Sequence, residues 1–173
     1  MEAFTNTKIT KSVHTDSSIS TWTGRKIGGS HQGTIHLKSG ELHFENDQLV
    51  GGEFDIDMAS IVVTDLQGEI QEKLEGHLKS DDFFSVEEHP DAHLEITDVH
   101  PEDDHYLVTA DLSVKGIKHP VSFPLEVNEN GATTTLTIDR SKYNVKYGSK
   151  SFFKSLGDNL IHDNFDVEVK LKF

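Results

Sequence analysis

The chain has 173 residues, no cysteine and a formal net charge of −14. That length suits one domain with a sizeable core. The missing cysteine excludes disulfide scaffolding, cysteine-ligated zinc and thiol catalysis, and the acidity disfavours nucleic acid and anionic membrane surfaces. No apolar run approaches the ~18 residues needed to span a bilayer. The opening MEAFTNTK holds no export signal, so the chain as written is expected in the cytoplasm. If Met1 was added to a trimmed chain, the expectation becomes periplasmic.

Residues 1–16 carry weak periodicity and read as a loose lead-in to a single domain over 17–173. Ile19 and Trp22 mark a first strand over Ser18–Gly24, and the glycine-rich Gly24–Gly33 follows as a connection. From Thr34 to Glu45 the alternation changes phase, with Ile35 and Leu37 odd but Leu42 and Phe44 even. Strand side chains repeat every two residues, so the switch needs an extra residue. Ser39-Gly40 marks it as a bulge, or as a tight turn. Asn46–Gln48 reads as a hairpin turn, after which Phe54, Ile56 and Met58 alternate with Glu53, Asp55 and Asp57.

Leu66, Ile70, Leu74 and Leu78 recur every four residues and predict a helix within 64–80. Thr64 and Gln67 have capping-box spacing, and Gly76 weakens the far end. Ser80-Asp81-Asp82 caps a short turn carrying Phe83 and Phe84, completing a helical insertion over about residues 65–88. Pro90 returns the chain to extended form. Strand patterns then run over Ala92–Val99, Tyr106–Lys115, Lys118–Val127, Ala132–Asp139 and Phe165–Phe173, with Asn130-Gly131 as a hairpin signal. The fold class is therefore all-β: about eight antiparallel strands in a barrel with a helical insertion. Such a barrel is filled by its side chains or holds one small ligand.

Four segments resemble the YceI-like family of bacterial lipid-binding, lipocalin-like proteins. They are GGEFDIDMASIVVTD (Gly51–Asp65), HLKSDDFFSVEEHP (His77–Pro90), YLVTADLSVKGIKHPVSF (Tyr106–Phe123) and TIDRSKYNV (Thr137–Val145). They stand in family order between Trp22 and Phe173. The resemblance implies an eight-stranded antiparallel lipocalin-like barrel around an apolar tunnel that takes up a polyisoprenoid, an isoprenoid quinone or a fatty acyl lipid. It also implies that two copies can pair as a homodimer. Asn144 stands where the family usually has Gly; Asn tolerates the left-handed backbone such a turn needs.

Inward-facing candidates are Phe54, Ile56, Met58, Leu94, Ile96, Val108, Ala110, Leu112, Phe123, Leu125, Phe165, Val167 and Val169. On the residues alone they fill a core or line a cavity; the resemblance favours the cavity. Each buried ligand methylene contributes about 0.8 kcal/mol, so a chain of about 20 carbons reaches micromolar affinity with no catalytic group. Arg140–Lys154 is the one basic stretch, with Arg140, Lys146 and Lys150 interleaved with Tyr143, Tyr147, Phe152 and Phe153. It reads as a solvated edge, or as a barrel mouth whose rings cover a tail and whose cations meet an anionic headgroup.

No catalytic, metal or cofactor site is assigned. His89 and His93 are four apart, but Pro90 interrupts helical ligand spacing, and the serine–lysine pair Ser151 and Lys154 lacks its partner motifs. The favoured function is a carrier that sequesters or transports a long-chain amphiphile, without cofactor, nucleic acid or membrane-spanning segment. The alternatives are an enzyme using the same cavity, which needs inward ionisable groups, and an interaction module with a solid barrel.

Overall fold

The period-two patterns become nine strands in the computed structural model, which describes residues 7–26, 29–145 and 161–173. They are β1 (Lys8–Ser12), β2 (Ile19–Lys26), β3 (Gly29–Glu45), β4 (Gln48–Val63), β5 (Asp91–Pro101), β6 (Tyr106–Val114), β7 (Ile117–Val127), β8 (Gly131–Asp139) and β9 (Ile161–Lys172). One helix, α1 (Gly68–Lys79), follows β4, and a 3₁₀ turn (Arg140–Tyr143) follows β8. The strand order is β1-β3-β2-β9-β8-β7-β6-β5-β4, and pairing of β3 with β4 closes β2 to β9 into an eight-stranded antiparallel barrel. β1 is an extra strand on β3, running from Lys8↔Glu45 to Ser12↔Glu41. These residues, expected in the loose lead-in, are mostly exposed, so no apolar alternation announces them.

β2 and β3 run on to Lys26↔Gly29, so most of the expected Gly24–Gly33 connection is strand. The phase switch in β3 is a bulge: its register on β4 shifts between Leu37 and Ser39, and the strand continues through Gly40. A larger excursion lies on β4, where Thr34 faces Val62 while His36 faces Asp57. The extra residues put both Met58 and Ile61 among the buried side chains. Asn46 and Asp47 have φ of 52° and 67°, as a two-residue type I′ hairpin requires. The β7–β8 turn depends on Asn128 instead of the expected Asn130-Gly131 pair. Its Oδ1 accepts the N–H of Asn130 at 2.8 Å and of Gly131 at 2.9 Å, as an Asx turn does.

α1 starts later than the capping-box spacing predicts. Gln67 is the N-cap and supplies no side-chain bond, while the Thr64 hydroxyl donates to the Gln32 carbonyl. No α1 residue is fully buried, and Ile70 is 64% exposed. Polar groups dock the helix. Gln71 Nε2 donates to the Val63 carbonyl at 2.8 Å, and Glu75 Oε1 accepts the Val63 N–H at 2.8 Å. Both satisfy the end of β4 on the edge where it has run past β5, while its other edge still pairs with β3 at Gly33↔Val63. Leu78 is the part of the apolar stripe that packs on the core.

Candidate functional site: an apolar cavity

Strand alternation aims one side chain in two at the barrel axis. The inward face of β6 is buried at Val108, Ala110, Leu112 and Val114, and that of β8 at Ala132, Leu136 and Ile138. The interior is not filled throughout. A cavity of about 240 Å³ is bounded by β2 to β9, Leu78 of α1, Phe83 and Phe84. Eleven of the thirteen inward candidates line it: Phe54, Ile56, Met58, Leu94, Ile96, Leu112, Phe123, Leu125, Phe165, Val167 and Val169. Val108 and Ala110 do not. Both have 0% exposure, so neighbouring side chains cover them completely and neither reaches the open space. They belong to the packed part of the core, with Leu42, Phe44 and Leu49.

The sequence reading missed further wall residues. Trp22 and Ile35 come from strands whose alternation was short or broken by a bulge, and Gly24 has no side chain to signal its face. A β-carbon on Gly33, by contrast, would meet the Val62 carbonyl at 1.8 Å and the Trp22 ring at 2.5 Å; the missing side chain makes room for both. Trp22 Nε1–H donates to the Thr34 carbonyl at 3.2 Å, which fixes the indole in the wall.

Aromatic rings close one side. Phe84 meets Phe165 edge-on with centroids 6.3 Å apart, and Phe83 meets His77 edge-on at 4.9 Å. The short turn carrying them is held by the Phe83 and Ser85 N–H groups, both donating to the Ser80 carbonyl. The predicted short turn is present, with Ser80 as the α1 C-cap.

Arg140 is the cation of this wall, and it is only 4% exposed. Its Nη1 donates to the Val145 carbonyl at 2.8 Å and its Nε to the His162 carbonyl at 3.2 Å. Its guanidinium carbon lies 5.7 Å from the Phe83 ring centroid. Burial lowers its pKa, opposed by the Asp163 and Asp139 carboxylates, yet a guanidinium stays charged. Arg140 thus ties β8, the residue after Asn144 and the start of β9 together. Tyr143 is also buried, so neither residue is the exposed rim group expected of them. The Tyr143 hydroxyl has no hydrogen-bond partner among the described residues, and burial raises its pKa. Asn144 adopts the left-handed conformation its chemistry allows, at φ 62° and ψ 25°. Lys146, Tyr147, Lys150, Phe152 and Phe153, and the serine–lysine pair Ser151 and Lys154, lie outside the described residues.

The wall includes no Asp or Glu among the described residues; its polar members are Ser20, Thr134, Arg140 and His162. No cluster of three His, Asp or Glu side chains suited to a metal occurs among the described residues, and no helix there is long and apolar enough to cross a membrane.

The comparisons with known proteins agree with this architecture. BcnA of Burkholderia cenocepacia superposes with a TM-score of 0.72 at 21% identity, covering 92% of this chain and 98% of that one. A polyisoprenoid binding domain from Saccharophagus degradans, implicated in plant cell wall breakdown, superposes at 0.66 with 15% identity, covering 92% and 95%. The Campylobacter jejuni YCEI protein gives 0.58 at 17% identity, covering 73% and 72%. At these identities the likeness concerns the fold. In sequence, 55 residues are 38% identical to UPF0312 protein plu2095 of Photorhabdus laumondii, 32% of this chain. The match spans only 29% of that relative's length. The model of the YceI-like domain matches residues 10–173, so the chain belongs to the YceI-like domain family.

Proposed function

We propose that this protein binds a linear, hydrophobic amphiphile, such as an isoprenoid or fatty acyl lipid, and carries it sequestered from water. The observation that carries this reading is the unfilled apolar space of about 240 Å³ inside an otherwise close-packed barrel. An empty apolar cavity costs the fold stability, because its lining lacks contact partners. A hydrocarbon chain restores those contacts. The described wall offers no carboxylate to act as acid or base, so the reading is of a binding protein that leaves its cargo unchanged. The S. degradans domain of the same fold is described as polyisoprenoid binding, which supports the same ligand class. The tail lies in the barrel and the polar end outside it. If the basic residues Lys146 and Lys150 stand at the outlet, an anionic headgroup is preferred.

Native mass spectrometry of freshly purified protein tests the reading. A co-purifying lipid, or stoichiometric uptake of added fatty acid or isoprenoid, is expected. Protein that stays ligand-free with both would overturn it. Lys146→Glu/Lys150→Glu should weaken a phosphorylated lipid and spare a neutral one; equal loss for both would refute the headgroup preference.

A further inference from the structure

The shortest ladder in the barrel lies between β7 and β8; the β4–β5 ladder also stops early, at Glu53↔Glu95, but keeps five pairs. β6 pairs with β7 from Tyr106↔Leu125 to Val114↔Ile117, and β8 pairs with β9 from Gly131↔Lys172 to Asp139↔Asn164. Between β7 and β8 the register comprises only Glu126↔Thr133 and Val127↔Ala132. The cause is written in β7. The Pro124 carbonyl faces β8, because it accepts the Thr134 hydroxyl at 2.5 Å. The N–H and C=O of one strand residue point to the same edge, and edges alternate along the strand. The ring nitrogens of Pro124 and, four residues earlier, Pro120 therefore both lie on the β8 edge. Neither carries a hydrogen to donate. Continuing the register would set Pro124 against Thr135 and Pro120 against Asp139, where those donors are needed. The ladder stops instead.

Side chains alone close the wall beyond that point, with Phe123, Leu136 and Ile138 on the inner side. The wall is also thin. Thr134 and Val169 border the cavity and, equally, a surface depression next to Pro124, Glu126 and Lys170. Near the start of β7 the ring of Tyr143 packs on His119, edge-on at 5.4 Å.

We propose that this unzipped seam between β7 and β8 is a lateral passage, through which the linear hydrocarbon chain of an amphiphile slips into and out of the cavity while its polar end stays outside. The inference rests on the cargo role argued above. Paired strands stand about 4.8 Å apart, centre to centre, so admitting one extended alkyl chain means parting β7 and β8 by about one further strand spacing. Parting this seam breaks the fewest ladder hydrogen bonds of any in the barrel, two residue pairs against five in the next shortest, β4–β5. A rigid fused-ring ligand would not pass, so the route also selects for flexible, linear tails.

Ser122→Cys/Thr137→Cys tests the passage. The continued register sets these positions opposite each other; both side chains are exposed, and the protein has no other cysteine. A short bis-methanethiosulfonate bridge closes the seam and a reductant reopens it. Exchange of cis-parinaric acid, a linear fluorescent fatty acid, is followed by stopped flow. The bridge should slow uptake and release together by about tenfold or more and leave Kd within about twofold, and reduction should restore both rates. Pro124→Thr, which supplies a missing donor, should slow exchange in the same direction without a bridge. Equal rates in bridged and reduced protein would overturn the passage and leave the cargo role standing. Loss of equilibrium binding in the bridged protein would also overturn it, because the seam would then be binding surface. No uptake by the unmodified protein would overturn both.

Discussion

Gly24 offers a clean perturbation of the cavity. It lies on β2, borders the open space, and a β-carbon built there meets no heavy atom within 4 Å. Its φ is not in the left-handed region, so another residue keeps the backbone. Gly24→Phe therefore places a ring in empty space. The ring displaces about four methylenes of a bound chain; at about 0.8 kcal/mol each, the loss is about 3 kcal/mol, or roughly two hundredfold in Kd. The ligand-free protein should gain about 1–2 kcal/mol from the buried ring. Titration with cis-parinaric acid reads the first effect and urea denaturation of ligand-free protein reads the second. Opposite movement of the two separates lost room from lost fold. An unchanged Kd would refute the claim that the tail occupies this space.

Three further outcomes follow from the same geometry. Arg140→Gln leaves the carbonyls of Val145 and His162 without their charged donor, and should cost about 2–4 kcal/mol in urea denaturation; a loss under about 1 kcal/mol would contradict its role as a tie. Asn144→Ala forces an ordinary residue into the left-handed region and should cost about 1–2 kcal/mol, while Asn144→Gly should be neutral within a few tenths; equal stability of both would contradict the account. The Thr137 hydroxyl and then Arg25 hold the Asp166 carboxyl below its usual pKa. That contribution to stability is present at neutral pH and is lost as pH falls from about 4 through the lowered folded-state value. Thr137→Val should flatten the acid limb of the stability–pH curve, and an unchanged limb would show that the hydrogen bond is not felt.

Much of the barrel was readable because an inward face announces itself by alternation. The inner residues of β6, β7 and β9 stood out for that reason, and the phase switch at Ser39-Gly40 located the β3 bulge. What escaped reading was backbone behaviour that side-chain pattern does not record. β1 is polar and held by ladder bonds to β3, so it carries no apolar signal. The excursion on β4 turns Met58 and Ile61 inward although they differ in parity. Val108 and Ala110 had the right face but sit where neighbours close over them, which depends on depth along the axis. Arg140 read as a rim cation because charge is usually exposed; two backbone carbonyls draw it inside. The prolines of β7 were a legible signal, since two on one edge of a strand forbid pairing there.

A chain-length series measures the central claim directly. Kd is determined by displacement of cis-parinaric acid for saturated fatty acids of increasing length. Affinity should rise about fourfold per added methylene until the barrel is full, then level off. Affinity that is flat in chain length, or absent throughout the series, would contradict a hydrocarbon-binding cavity.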